Sequence, residues 1–340
     1  MKDGTLVADR FEIESLATSG GMGTVYRARD RLTGELVALK VVQQRGVAEV
    51  GRFLREGKAL AELHHPAIVR YVAHGVTPQG DAYLAMEWLD GEDLGDRLSR
   101  SSLSIRESVS VVSRAAEGLS FAHSRGLIHR DVKPSNLFLV GGDLKRVKVL
   151  DFGIVRRARM DSTELTRTGA MLGTPGFMAP EQVRGSKDID ARADVFALGC
   201  MLYRCLTGHS PFASEDPIAI LTRVLFEDVT PPRTLNNEIP PELDALVCRL
   251  LTKEPAGRPS DAGALLVELA ELSLPTSSGG ITHPVPHEAI TSREQRLLSI
   301  VLAGASRSLQ AQKNATLTAA AAVSIEDRMR ERVEALGGRF

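Results

Sequence analysis

At 340 residues with 43% hydrophobic side chains, the chain exceeds a minimal domain and can bury a core of ordinary size. A formal charge of −1, with lysines and arginines scattered rather than clustered, gives no electrostatic basis for a nucleic-acid or membrane-surface binder. Three cysteines, Cys200, Cys205 and Cys248, have no C-x-x-C spacing and fit buried thiols in a reducing compartment better than disulfides or metal ligands.

The chain opens on Met1-Lys2-Asp3-Gly4, which carries an acid and leads into strand-like sequence, so no signal peptide is expected. No uncharged apolar run reaches membrane-span length, and the expected location is cytoplasmic. Phe11-Glu12-Ile13-Glu14 alternates as a strand, Thr18-Ser19-Gly20-Gly21-Met22-Gly23 breaks it, and Thr24-Val25-Tyr26-Arg27-Ala28 resumes it. A glycine-rich turn between strands lets backbone N–H groups close over phosphates with no side chain intervening. Leu36 to Val42 reads as a strand apolar on both faces except for Lys40, which shares a face with Ala38 and Val42. A lysine there needs an anionic partner, because an unpaired buried ammonium is very costly. The spacing of Phe53, Leu60 and Leu63 predicts a helix over about 48–63, and Glu56 falls on its apolar face, out of place unless it meets a cation.

Tyr83-Leu84-Ala85-Met86 is strand-like and runs into a polar connector from Glu87 to Asp93. Val109, Val112, Ala116, Leu119 and His123 mark an amphipathic helix that stops at Gly126 and delivers the chain to His129-Arg130-Asp131-Val132-Lys133-Pro134-Ser135-Asn136. Two short strands follow, Leu137 to Val140 and Val147 to Leu150, joined by a Gly-containing turn and leading to Asp151-Phe152-Gly153. Such a hairpin brings Asn136 and Asp151 side by side, about 5 Å apart like a cross-strand pair. A carboxylate and an amide oxygen at that separation can share Mg²⁺, a hard ion that leaves room for phosphate oxygens. Asp131 enters the same volume from the preceding loop, placed to accept a proton or orient a hydroxyl. The segment up to Met178 is rich in Thr and Gly and poor in periodicity, as in a surface loop, and closes on Ala179-Pro180-Glu181. From there to Leu272 the pattern is helical, with Leu246, Leu250, Leu251, Leu265, Leu266 and Leu269 as core candidates.

The H-R-D-x-x-x-x-N of His129 to Asn136, paired with D-F-G at Asp151, closely resembles the catalytic and metal loops of eukaryotic-type serine/threonine protein kinases of bacterial type. The resemblance covers about residues 10–272 and implies an α+β, two-lobed fold, a small antiparallel sheet lobe over a mostly helical one. It implies that Asp131 acts on the acceptor hydroxyl, Lys133 neutralises the transferring phosphoryl group, and Asn136 and Asp151 hold Mg²⁺. Lys40, in Val37-Ala38-Leu39-Lys40, would grip the ATP phosphates with Glu56 as its ion-pair partner. The nucleotide site would further comprise Leu16, Thr18, Gly20, Gly21, Gly23, Val25, Ala38, Met86, Glu87, Leu89, Asp93 and Phe138, with Glu87 and Leu89 offering backbone groups to adenine and Asp93 reaching the ribose. Thr18 stands where the first glycine of G-x-G-x-x-G belongs, a departure from the pattern. Glu181 is expected to pair with Arg258, and Asp194 to brace the catalytic-loop backbone. Arg130, beside Asp131, implies a switch in which a phosphate on Thr166 or Thr168 balances its charge.

Residues 273–292 are Pro-, Gly- and Ser-rich and read as a linker. Residues 293–340 read as a partial module whose opening faintly resembles the first strand of a class III nucleotide cyclase domain, without the metal-binding aspartate expected after it. The expectation is phosphorylation of protein Ser or Thr by ATP and Mg²⁺, with dimers for trans-autophosphorylation, no nucleic acid and no membrane span. The rival from another class is a binding scaffold without turnover, supported by Thr18 alone. A P-loop NTPase is excluded because no G-x-x-x-x-G-K-[ST] occurs.

Overall fold

Alternation of apolar side chains between two strand faces organises the first ninety residues. The computed structural model describes residues 1–20, 23–42, 53–54, 57–77, 79–152, 175–186 and 188–274. Strands β1 (Leu6–Val7), β2 (Phe11–Gly20), β3 (Gly23–Asp30), β4 (Leu36–Val42), β5 (Tyr71–Val76) and β6 (Ala82–Glu87) form a sheet in the order β1-β2-β3-β4-β6-β5, with antiparallel neighbours. Because side chains alternate along each strand, Phe11, Ile13, Tyr26, Ala28, Val37, Leu39 and Val41 form one cluster while Val42, Leu84 and Met86 form another with Phe53 and Val69. Lys40 follows Leu39 and therefore belongs to the second face, opposite Leu84 in the register.

Residues 53, 54 and 57–61 are helical, within the helix expected over about 48–63. The segment after it is stitched to the second half of the chain: the Val69 N–H donates to the Val149 carbonyl at 3.0 Å, and the Val149 N–H to the Ala67 carbonyl at 2.8 Å. The polar connector then leads to a three-stranded sheet, β7 (Gly91–Asp93), β8 (Leu137–Val140) and β9 (Val147–Val149), in that order. A Cβ at Gly91 would lie 2.0 Å from the Leu139 carbonyl oxygen, so only glycine lets β7 approach β8 this closely.

Helix α1 (Leu94–Arg100) starts at Asp93, and α2 (Ile105–His123) starts at a capping box in which Ser104 and Glu107 each accept from the other's backbone N–H. The remaining helices are α3 (Pro180–Val183), α4 (Arg192–Thr207), α5 (Pro217–Phe226), α6 (Pro232–Leu235), α7 (Pro241–Leu250) and α8 (Ala262–Glu271). Helix α4 is apolar almost all round and is the centre of the larger lobe, with Phe196, Leu198 and Met201 fully buried. The α+β, two-lobed arrangement expected from the sequence is the one adopted.

One detail differs from expectation. The second hairpin strand ends at Val149, and the Leu150 N–H donates to the Asn136 carbonyl at 2.8 Å, so Asn136 faces Leu150 and Asp151 lies one residue further along. Backbone contacts divide the chain into Met1–Pro286 and His287–Phe340. The 293–340 module and all but the first two residues of the 273–292 linker lie outside the described residues, as do Glu56, Gly21, Thr166 and Thr168.

Candidate active site

A single carboxylate from the core helix shapes the catalytic loop. Asp194 on α4, 1% exposed, accepts from the His129 N–H (2.8 Å), the Arg130 N–H (2.7 Å) and the His123 ring (2.8 Å). Burial alone would raise the Asp194 carboxyl, but the hydrogen bonds from the His123 ring and the His129 N–H counter it, and the group is held below its ordinary range. Two successive N–H groups converge on it because Arg130 takes φ +65°, a left-handed conformation costly for a non-glycine residue. Gln182 on α3 closes the loop's other side, donating to the Arg130 carbonyl at 2.9 Å. The His129 ring accepts from the Asp131 N–H through Nδ1 (3.2 Å) and donates from Nε2 to the Leu150 carbonyl (2.7 Å), joining this loop to the end of the hairpin. It also lies against Phe152, with centroids 4.7 Å apart.

Within this frame Asp131 is 7% exposed, and its Oδ2 meets Lys133 Nζ at 3.0 Å and the Asn136 amide at 3.2 Å. The same Asn136 amide nitrogen donates to the Asp131 carbonyl at 2.8 Å, which leaves its oxygen as the atom able to ligate a cation. Across the cleft, Lys40 Nζ pairs with Asp151 Oδ2 at 2.6 Å. The lysine is 8% exposed, so the counter-charge it needs comes from Asp151; its expected partner, Glu56, lies outside the described residues. Asp151 holds φ +47°, a second left-handed non-glycine residue in the site. Asn136 and Asp151 fit Mg²⁺: one amide and one carboxylate oxygen would leave most of an octahedral shell to phosphate and water.

The expected nucleotide residues fall on both sheets: Leu16, Thr18, Gly20, Gly23, Val25, Ala38, Met86 and Glu87 belong to the first, Asp93 and Phe138 to the second. Register pairs Gly20 with Gly23, Thr18 with Val25 and Val25 with Lys40, with irregularity between Leu16 and Thr18. Thr18 has no positive φ and pairs with Val25 just past a register shift, so its position makes no demand for glycine. Gly23 does: at φ +129°, an added Cβ would lie 2.7 Å from the Val41 carbonyl oxygen. Leu16 is 59% exposed, and Val25 and Ala38 are half-buried, an apolar surface left open on the strands above the cleft. Asp93 and Phe138 are neighbours in the β7–β8 register, and Asp93 Oδ1 caps α1 by accepting from the Asp96 N–H at 2.9 Å. Glu87 is fixed by its carboxylate, whose Oε1 accepts from the Arg70 N–H at 2.7 Å and from Lys148 Nζ at 2.5 Å. Behind Met86, a small cavity is walled by Leu60, Tyr71, Asp151 and Phe152.

Glu181 and Arg258 form a buried two-pronged pair at 2.8 and 3.1 Å. Sequence reasoning missed the roles of Gln182 and of the Glu87–Lys148 pair, which carry no local pattern. It also missed His123, whose signal was available: a titratable residue on the apolar face of a helix calls for a buried partner. The phosphate switch falls on Thr166 and Thr168, outside the described residues; the Arg130 guanidinium reaches the Ile189 carbonyl at 3.4 Å.

The chain is 36% identical over 324 residues to the serine/threonine-protein kinase pkn3 of Myxococcus xanthus, covering 88% of this chain and 59% of the relative. It is 34% identical over 326 residues to the serine/threonine-protein kinase PknB of Mycobacterium tuberculosis, covering 86% and 52%. The chain thus spans about half the length of these relatives. Among solved structures, Rad53 1–466 in complex with AMP-PNP is similar with a TM-score of 0.63 and 26% identity, covering 76% of this chain and 64% of that one. The protein kinase domain family matches residues 11–269, and this chain belongs to that family.

Proposed function

We propose that this chain transfers the γ-phosphoryl group of ATP to serine or threonine hydroxyls of proteins, as a bacterial cytoplasmic signalling kinase. The observation that carries the reading is the Asp131 carboxylate, held by Lys133 and Asn136, with the Lys40–Asp151 pair joining β4 to the end of the same hairpin. Asp131 receives the acceptor proton as the new O–P bond forms and the bond to the β-phosphate oxygen breaks. Lys133 offsets charge on the transferring group, and Lys40 binds the phosphates. Mg²⁺, when bound through Asn136 and Asp151, neutralises phosphate charge. Asp194, Gln182 and His129 keep the loop in this form before substrate arrives, so little reorganisation accompanies transfer. Thr166 or Thr168 is a site of autophosphorylation between two copies of the chain, the added charge pairing with Arg130.

The test combines labelled ATP, Mg²⁺ and a generic protein acceptor with mass spectrometry of the product. Asp131→Asn should abolish transfer while leaving Mg²⁺-ATP binding within about threefold, because the aspartate acts on the acceptor and not on the nucleotide. Loss of nucleotide binding in the folded variant would reject that role. Phosphate is expected on Thr166 or Thr168, and changing both to Ala should lower transfer about tenfold, or 1.4 kcal/mol. Phosphate found only outside residues 154–178, with full activity in the double variant, removes the switch.

A further inference from the structure

The helix that includes residues 57–61 meets β5 at a contact with no room for a side chain. A Cβ at Gly57 would lie 2.7 Å from Cγ and 2.9 Å from Cδ2 of His74 on β5, closer than real Cβ atoms come. The His74 ring cannot swing aside cheaply. Its Nδ1 is hydrogen-bonded to the Tyr71 hydroxyl, and the two rings lie 5.6 Å apart at 57°. Burial, against the raising effect of the Leu54 backbone, holds His74 below its ordinary range. Tyr71 in turn faces the cavity bounded by Leu60, Met86, Asp151 and Phe152, and Leu54, Leu60 and Tyr71 all pack on the cluster of Val42, Leu84 and Met86.

We propose that Gly57 and His74 form a packing stop that sets how closely the helix approaches β5, and that both are positioning residues for the nucleotide site through the cavity wall beside Asp151. The inference rests on the kinase reading above and deepens it. Glycine is a poor helix former, so its presence in a helix is explained by the contact and not by local propensity. A larger residue at 57 displaces the helix or the His74 ring, and through Tyr71 and Leu60 disturbs the surroundings of the carboxylate that holds Lys40.

The test is a cycle of the wild type, Gly57→Ala, His74→Ala and the double variant, each measured for melting temperature and for kcat and KM with ATP. In the wild-type background Gly57→Ala should lower kcat/KM for ATP about fivefold or more without the rise in melting temperature that alanine normally brings to a helix. With Ala at 74 the same change should cost less than about twofold and raise the melting temperature. Wild-type activity in Gly57→Ala, or equal effects in both backgrounds, overturns the proposal. Should Gly57→Ala fail to fold, folding regained in the double variant supports the stop and failure of both rejects it. A wild type that transfers no phosphate rejects the kinase reading instead, and the melting-temperature cycle then decides the packing stop alone.

Discussion

At the scale of single residues, Asp194 concentrates the most consequence in the fewest atoms. Its two oxygens take three donors, and those donors belong to the end of α2 and to two successive residues of the catalytic loop. Nδ1 of His123 accepts from the Ala262 N–H at 3.2 Å, which leaves Nε2 to donate to Asp194 and adds the start of α8 to the same hub. Asp194→Asn keeps the shape but replaces a charged acceptor with a neutral amide, one of whose ends presents donors to donors. The expected cost is about 3 kcal/mol, measured as a shift in urea midpoint at neutral pH, together with lowered transfer. The pH dependence has a definite sign. The folded-state carboxyl titrates below its ordinary value of 3.8, so the unfolded chain binds more protons as pH falls toward that range. The contribution is fully present above the unfolded value and lost as pH falls through the folded one. Urea midpoints of wild type and variant should therefore converge below about pH 4, and a gap that persists unchanged there would reject the assignment.

Among elements, the short helix α3 is held in place more by side chains than by its own length. Four residues cannot sustain a helix alone. Glu181 anchors α3 to Arg258, which also donates to the carbonyls of Thr252, Lys253 and Arg192 and lies over the Phe196 ring at 4.8 Å. Gln182, the next residue, holds the Arg130 carbonyl, so the position of α3 passes directly to the catalytic loop. Arg258→Met leaves a buried carboxylate without its cation and should destabilise by about 3–5 kcal/mol. Changing Glu181 to Leu in the same chain should recover much of that loss, because the double variant buries no unpaired charge. Chemical denaturation of both variants checks this, and a double variant no more stable than the single one would show that the pair does more than neutralise charge. The packing of α4 on α7 has a steric condition of its own: a Cβ at Gly199 would lie 2.7 Å from the Leu250 Cβ.

For the molecule as a whole, the described domain closes at α8, which packs on α2 with Leu265 and Leu269 buried. The Arg106 guanidinium reaches the Leu274 carbonyl at 3.4 Å, so the chain is still tied to α2 where α8 ends. No helix among the described residues is long and apolar enough to cross a membrane. We propose the linker after this point as the domain boundary, and a chain ending at Pro275 is expected to fold and keep transfer within about twofold of the full chain. An insoluble or inactive truncation would make residues 276–340 part of the catalytic unit.

Much of the site was legible in the sequence because its decisive relations are short. Asp131, Lys133 and Asn136 lie within six positions, and their mutual contacts follow from one tight loop. The face carrying Lys40 follows from a period of two, which needs no knowledge of the partner sheet. Tertiary structure decided the partners. Lys40 meets Asp151 across 111 positions, Arg258 meets Glu181 across 77, and Lys148 meets Glu87 across 61. A charge at a buried position announces that a partner is required, but which one arrives depends on how closely packed elements approach. The one-residue offset between Asn136 and Asp151 and the contact of Gly57 with His74 are of this kind: both are set by distances of approach between elements, and local periodicity carries no information about such distances.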